Sequence, residues 1–154
     1  MAQTRRLLLH GARGSVFRLH VGAALLAADG AQLSTWGLKT SAPREVREGE
    51  SAHEQRVSAH IRTMPVLWVD VTDAAGPESS RALIERNAIA LLSNRFAPLD
   101  PPSSDWLGRH SPRQEIVRSG LWNLNHVDEQ YDGHFLDVLE HCVSMTCGER
   151  HAPM

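Results

Sequence analysis

The chain has 154 residues, of which 42% are hydrophobic, 22% charged and 5% aromatic, with a formal net charge of −2 at pH 7. A chain of about 150 residues hides roughly 70% of the surface it would expose unfolded, so the length suits one soluble globular domain and leaves little room for two separate cores. The composition excludes collagen-like and wholly disordered chains, and no run reaches the ~20 apolar residues of a membrane span; residues 21–28, the longest apolar stretch, hold a glycine and four alanines.

Charge is placed unevenly. Arg5, Arg6, Arg13 and Arg18 all precede the first acidic residue, Asp29. Such a start can belong to an organelle transit peptide, but residues 17–28 are too apolar and too helical for a disposable leader. A secretory signal needs a longer apolar block than Leu7, Leu8 and Leu9. The third reading is a folded helix pair whose basic residues face phosphate. The two cysteines, Cys142 and Cys147, are too few for a secreted disulfide framework, which points to a reducing, cytoplasmic setting.

In chain order, residues 2–10 read as a short basic helix closed by Gly11 and Gly14. Ser15 is an N-cap for a second helix to about residue 28, ended by Asp29 and Gly30 and apolar almost all round, hence buried. Residues 30–49 read as a loop with a short strand around 33–37. Ser51 and Glu54 form a capping box that opens a helix to about residue 63. Residues 66–71, Val-Leu-Trp-Val-Asp-Val, are the clearest strand in the sequence. Gly76 and Pro77 introduce the strongest helix, about 78–93, whose second half is apolar on every side. After Asn94 the prolines at 98, 101 and 102 make a loop; a short helix follows Ser111-Pro112 to near Gly120, and a last helix spans about 132–145. The expected fold is α/β (α+β): a small, mostly helical domain around a short sheet, with residues 1–97 as the principal region and residues 98–154 as a C-terminal cap packed on it.

Glu85 is the most informative acid. It stands mid-helix, one turn before the all-apolar stretch, so its carboxylate is expected to face the protein or a cleft, where a lone charge needs a partner. That partner is either Arg81 or Arg86, in an ion pair, or a metal: Mg²⁺ is often held by one or two carboxylates, with waters and a substrate phosphate completing its octahedron.

The stretch from Ile84 to Ile89 with Leu91-Leu92-Ser93-Asn94 resembles the helix of GIY-YIG endonucleases that carries their metal-binding glutamate, and Arg6 followed four residues later by His10 resembles that family's arginine helix. The strand expected at 66–71 lies between them, where the family has its third strand. The resemblance covers about the first hundred residues, with a long insertion at 15–50. It implies metal-dependent hydrolysis of DNA phosphodiester bonds, with Mg²⁺ or another divalent cation on Glu85, Arg6 neutralising charge on phosphate oxygens and His10 positioning substrate or water. Arg18 and His20 are an alternative pair. The family's two tyrosine-bearing strands precede the arginine helix, whereas only six residues stand before Leu7 and the single tyrosine is Tyr131. The chain as given is therefore expected to lack cleavage unless those strands are supplied. The alternative is a non-catalytic nucleic-acid or protein interaction module descended from such a nuclease.

Residues 119–128 form the densest polar and aromatic cluster. Trp122 either stacks on a base, with Asn123 and His126 at phosphate, or anchors a loop. Arg5, Arg13, Arg18, Asn87, Trp122, Asn123 and His126 are thus the candidate nucleic-acid contacts. His141, Cys142, Cys147 and His151 carry sulfur and nitrogen ligands that suit zinc, but their spacing matches no strong zinc signature.

Overall fold

A computed structural model of the protein describes residues 14–37 and 43–148. They form five α-helices, α1 (Val16–Ala28), α2 (Arg44–Arg62), α3 (Ser80–Leu92), α4 (Gln114–Ser119) and α5 (Phe135–Gly148), with a 3-10 turn over Leu107–His110. Among the described residues there is no β-strand, so the expected α/β (α+β) fold around a sheet gives way to a helical one. The physical reason is visible at residues 66–71. β-propensity measures how well a side chain packs on a pleated neighbour, not a backbone preference by itself. Here Val66 and Trp68 are exposed and Leu67 is 97% exposed, with no strand beside them. The Asp70 N–H donates to the Thr146 hydroxyl at 3.0 Å, a side-chain acceptor where a sheet would supply a carbonyl. The short strand expected at 33–37 is likewise a turn, closed by the Trp36 N–H on the Leu33 carbonyl at 2.9 Å.

The chain divides into two compact units, each assembled from two stretches: Met1–Pro65 with Pro102–Asn123, and Val66–Pro101 with Leu124–Met154. In the first, α1 packs on the 3-10 turn and on α2, and α4 packs on the same turn. Ser15 caps α1 as expected, its hydroxyl accepting from the Arg18 N–H. Val21, Ala24, Val57 and Ile116 are fully buried. Gly22 admits the Trp36 ring: a Cβ there would lie 2.1 Å from Trp36 Cζ2. The ring is held by its N–H, which donates to the Leu19 carbonyl at 3.0 Å, and by the His53 ring, which meets it edge-on at 4.4 Å and whose Nε2 is 3.1 Å from the Gly22 carbonyl oxygen.

The start of α2 differs from the sequence expectation. The helix opens at Arg44, directly after Pro43, with Glu45 in its first turn where the helix dipole favours an acid, and Arg44 paired to Glu48 at 2.6 Å. Ser51 and Glu54 therefore sit inside the helix, not at its cap. Glu54 is released from capping to serve α1, as described below.

In the second unit α3 packs on α5. Ser79 caps α3, accepting from the Ala82 N–H at 3.2 Å and donating to the Gly76 carbonyl at 2.7 Å. Ala90, Val127, Phe135 and Cys142 make its buried apolar centre. The buried polar groups are tied down: the Ser93 hydroxyl donates to the Val127 carbonyl at 2.6 Å, and the Thr146 hydroxyl to the Cys142 carbonyl at 2.7 Å.

Candidate functional site

Glu85 lies on the exposed side of α3, where its carboxylate was expected to face the protein or a cleft, and it makes no ion pair with Arg81 or Arg86. Both basic neighbours are engaged elsewhere. Arg86 Nε donates to Glu129 Oε2 at 2.5 Å, and Arg81 reaches the Val71 carbonyl at 3.4 Å. A solvated carboxylate without a counter-charge keeps its lone pairs for an incoming group.

Two residues after Glu85 on the same helix, Asn87 is buried. Its amide N–H donates to the Leu83 carbonyl at 2.8 Å, and its carbonyl oxygen accepts from the Asp132 N–H at 2.7 Å. Asn87 thus ties α3 to the loop that leads into α5. That loop also carries His126, a non-glycine residue in the left-handed region with φ of 63°. Its ring Nδ1 lies 2.8 Å from Glu129 Oε1. Hydrogen bonds from His126 first and Arg86 second hold the Glu129 carboxyl below the usual carboxylate range. Arg86, Glu129 and His126 form a chain of charge-assisted contacts that starts beside Glu85. Glu129 also borders a cavity of about 300 Å³, whose wall includes exposed Phe96, Leu99 and Tyr131.

The first unit holds the other described candidates. Arg18, 3% exposed, donates through Nη2 to Glu54 Oε2 at 2.6 Å and to the Ser58 hydroxyl at 3.0 Å, while its Nε and Nη1 have no hydrogen-bond partner among the described residues. His20 is buried as well. Burial holds its imidazole below the ordinary value of 6.5, with the Arg113 guanidinium adding to the effect and Glu115 opposing it. Trp122 packs among aromatics, edge-on to Phe17 at 6.1 Å and tilted against Trp106 at 5.4 Å, whereas the neighbouring Asn123 is exposed. Arg5, Arg6, His10 and Arg13 lie outside the described residues, as does His151 of the zinc reading.

The GIY-YIG domain profile matches residues 9–148. The chain belongs to the GIY-YIG family. No curated protein and no solved structure matches the chain. The family match runs well past the first hundred residues covered by the sequence resemblance and takes in the last helix, so the C-terminal stretch is family sequence too. Arg6 precedes the matched span, while His10, Arg18, Glu85 and His126 lie within it.

Glu85 and Asn87 stand on α3, and Asn87 pins the loop that carries His126 through the Asp132 N–H. In the sequence Arg86 stands out only as a partner of Glu85, and Glu129 does not stand out; Arg86 pairs with Glu129 across 43 positions. No three His, Cys, Asp or Glu side chains converge as a metal cage among the described residues. The donor set at Glu85 is one exposed oxygen-bearing carboxylate, which fits a hard cation that keeps most of its waters, as Mg²⁺ does. No helix among the described residues is long and apolar enough to cross a membrane.

Proposed function

We propose that the protein is a GIY-YIG-type, metal-dependent hydrolase of DNA phosphodiester bonds, with Glu85 as its metal carboxylate. The reading is supported above all by one observation: within the family match, Glu85 stands exposed on α3 and without an ion pair among the described residues, although two arginines flank it. A divalent cation bound there would supply positive charge to the oxygens of the scissile phosphate. The chain's own residues provide the rest. Asn87 fixes the loop beside α3, and Arg86, engaged with Glu129, leaves the Glu85 carboxylate unneutralised. Arg6 and His10 hold the arginine and histidine roles that the family resemblance implies, charge neutralisation and positioning.

The test is Mg²⁺-dependent nicking of supercoiled plasmid. It uses the 154-residue chain and a form extended at its amino terminus by the in-frame upstream codons, each with Glu85→Ala. Nicking by the extended form, its loss in extended Glu85→Ala, and no nicking by the 154-residue chain are the expected results. Equal nicking by the extended form and its Glu85→Ala variant removes Glu85 from the site. Salt-dependent DNA binding without nicking, weakened by substitution of Arg5 and Arg6, favours the interaction-module reading instead.

A further inference from the structure

We propose that the cavity of the second unit takes one unpaired nucleobase of the DNA, with a phosphate beside that base on Arg86; the inference rests on the DNA reading above and asks nothing of Glu85. The cavity holds about 300 Å³, at the lower end of small-ligand pockets, which is room for about ten waters or for one flat heterocycle. Two stretches of chain wall it. The end of α3 with the loop carrying Phe96 and Leu99 is one, and Glu129, Gln130 and Tyr131 are the other. Each wall presents an aromatic ring to solvent, Phe96 at 68% and Tyr131 at 47% exposure. Every base has a π-face that stacks on such rings, and a base enters a cavity only once it has left its own stack.

The walls are joined to each other by the protein itself. The Ser93 hydroxyl donates to the Val127 carbonyl at 2.6 Å, Arg95 pairs with Asp128, and the Asn87 side chain accepts from the Asp132 N–H at 2.7 Å. Three ties thus hold α3 and the loop after it to residues 127–132. Tyr131 also meets the buried Phe135 ring edge-on at 6.2 Å. Walls fixed in this way give up little conformational freedom when a ligand arrives. The polar groups match the edge of a base: the Gln130 amide and the Tyr131 hydroxyl line the cavity, make no hydrogen bond among the described residues, and together offer donors and acceptors.

Charge decides between occupants. Glu129 borders the cavity and its Oε2 accepts from Arg86 Nε at 2.5 Å, so the guanidinium lies one hydrogen bond from a residue of the wall. Arg86 is 62% exposed, and its Nη1 and Nη2 groups have no partner among the described residues. With Nε held by Glu129, the rest of the planar fork keeps one orientation and suits phosphate oxygens. An apolar side chain of a protein partner would use the rings and leave the guanidinium idle, whereas a nucleotide uses both.

The experiment measures DNA affinity by fluorescence anisotropy, without divalent cations, for both lengths of the chain. The probes are a labelled duplex with one bulged adenine, the same duplex fully paired, and free deoxyadenosine as competitor. The bulged duplex should bind about 5–150-fold more tightly than the paired one, the range that one stacked base contributes. Phe96→Ala and Tyr131→Ala should each remove most of that preference and keep the affinity for the paired duplex, and Phe96→Ala, at so exposed a position, should keep the melting temperature as well. Arg86→Gln should weaken binding of the bulged duplex and lessen its salt dependence. Equal affinity for the two duplexes, or a preference that survives both aromatic substitutions, overturns the proposal while DNA binding stands. Deoxyadenosine that binds as tightly as the bulged duplex makes the cavity a site for free nucleosides and overturns the DNA source. Binding of neither duplex overturns the DNA reading together with this proposal, whereas a bulge preference without nicking by either length removes the hydrolase reading alone.

Discussion

The two units bury different kinds of polar group. In the first, the buried polar side chains include Arg18, His20, Glu50 and His53, all ionisable; in the second they are Ser79, Asn87, Ser93 and Thr146, all neutral. The exposed large apolar side chains run the other way. Apart from Val16, those of the described residues all belong to the second unit, among them Leu67, Trp68, Phe96, Leu99 and Tyr131. The ionisable groups of the second unit that matter to the proposed function, Glu85, Arg86 and Glu129, stand at or near its surface. Charge in the first unit is thus part of the packing, and charge in the second is available to a ligand. Among the described residues, substitution of a buried ionisable group in the first unit should therefore cost stability, and substitution of exposed Glu85 in the second should cost activity.

The largest stability effect is expected at the buried pair of the first unit. Glu54→Ala leaves the Arg18 guanidinium buried without its carboxylate and should destabilise by about 3–5 kcal/mol, read by chemical denaturation. A double replacement of Arg18 and Glu54 by apolar residues of similar size should recover much of that loss, because it removes the desolvated charge as well as its partner. If Glu54→Ala is as stable as the unchanged chain, charge in this unit is not part of its packing.

Gly22→Ala should come next. The added methyl meets a ring held by a hydrogen bond and by His53, and overpacking of this kind costs about 1–3 kcal/mol. Acid should then act on the same unit. Burial is the largest cause holding both His20 and His53 below their ordinary value of 6.5; Arg113 adds to the effect at His20, and at His53 the contact with Gly22 opposes it. The unfolded chain takes up protons that the folded one refuses, so this contribution is complete above pH 6.5 and declines as the pH falls below it. Melting temperature against pH should show that decline, and His20→Leu should flatten it. The smallest effect is expected at Leu67→Ser in the second unit: a side chain 97% exposed should change stability by no more than about 0.5 kcal/mol while improving solubility.

Local rules made much of the helical framework legible. Ser15 caps α1, Gly120 ends α4 with φ of 73°, and the helix around Glu85 lies within two residues of its expected bounds. The errors arose where a non-local contact decides. Val66 to Val71 has the composition of a strand, but a strand exists only with a partner, and the described residues provide none. The Ser51–Glu54 capping box is chemically sound, yet Pro43 and the Arg44–Glu48 pair start α2 earlier, and Glu54 turns to Arg18. At the candidate site Glu85 was legible through its resemblance to a family helix, although its exposure was not. Glu129 was not legible at all, because its link to Arg86 spans 43 positions.

The most direct measurement of the division between the units is plasmid nicking beside thermal unfolding for Glu85→Ala and Glu54→Ala in parallel. In the amino-terminally extended form, Glu85→Ala should abolish Mg²⁺-dependent nicking at an unchanged melting temperature, while Glu54→Ala should lower the melting temperature and retain nicking in the fraction that stays folded. Nicking that survives Glu85→Ala, or is lost in folded Glu54→Ala, would contradict the assignment of Glu85 to chemistry and of Glu54 to packing.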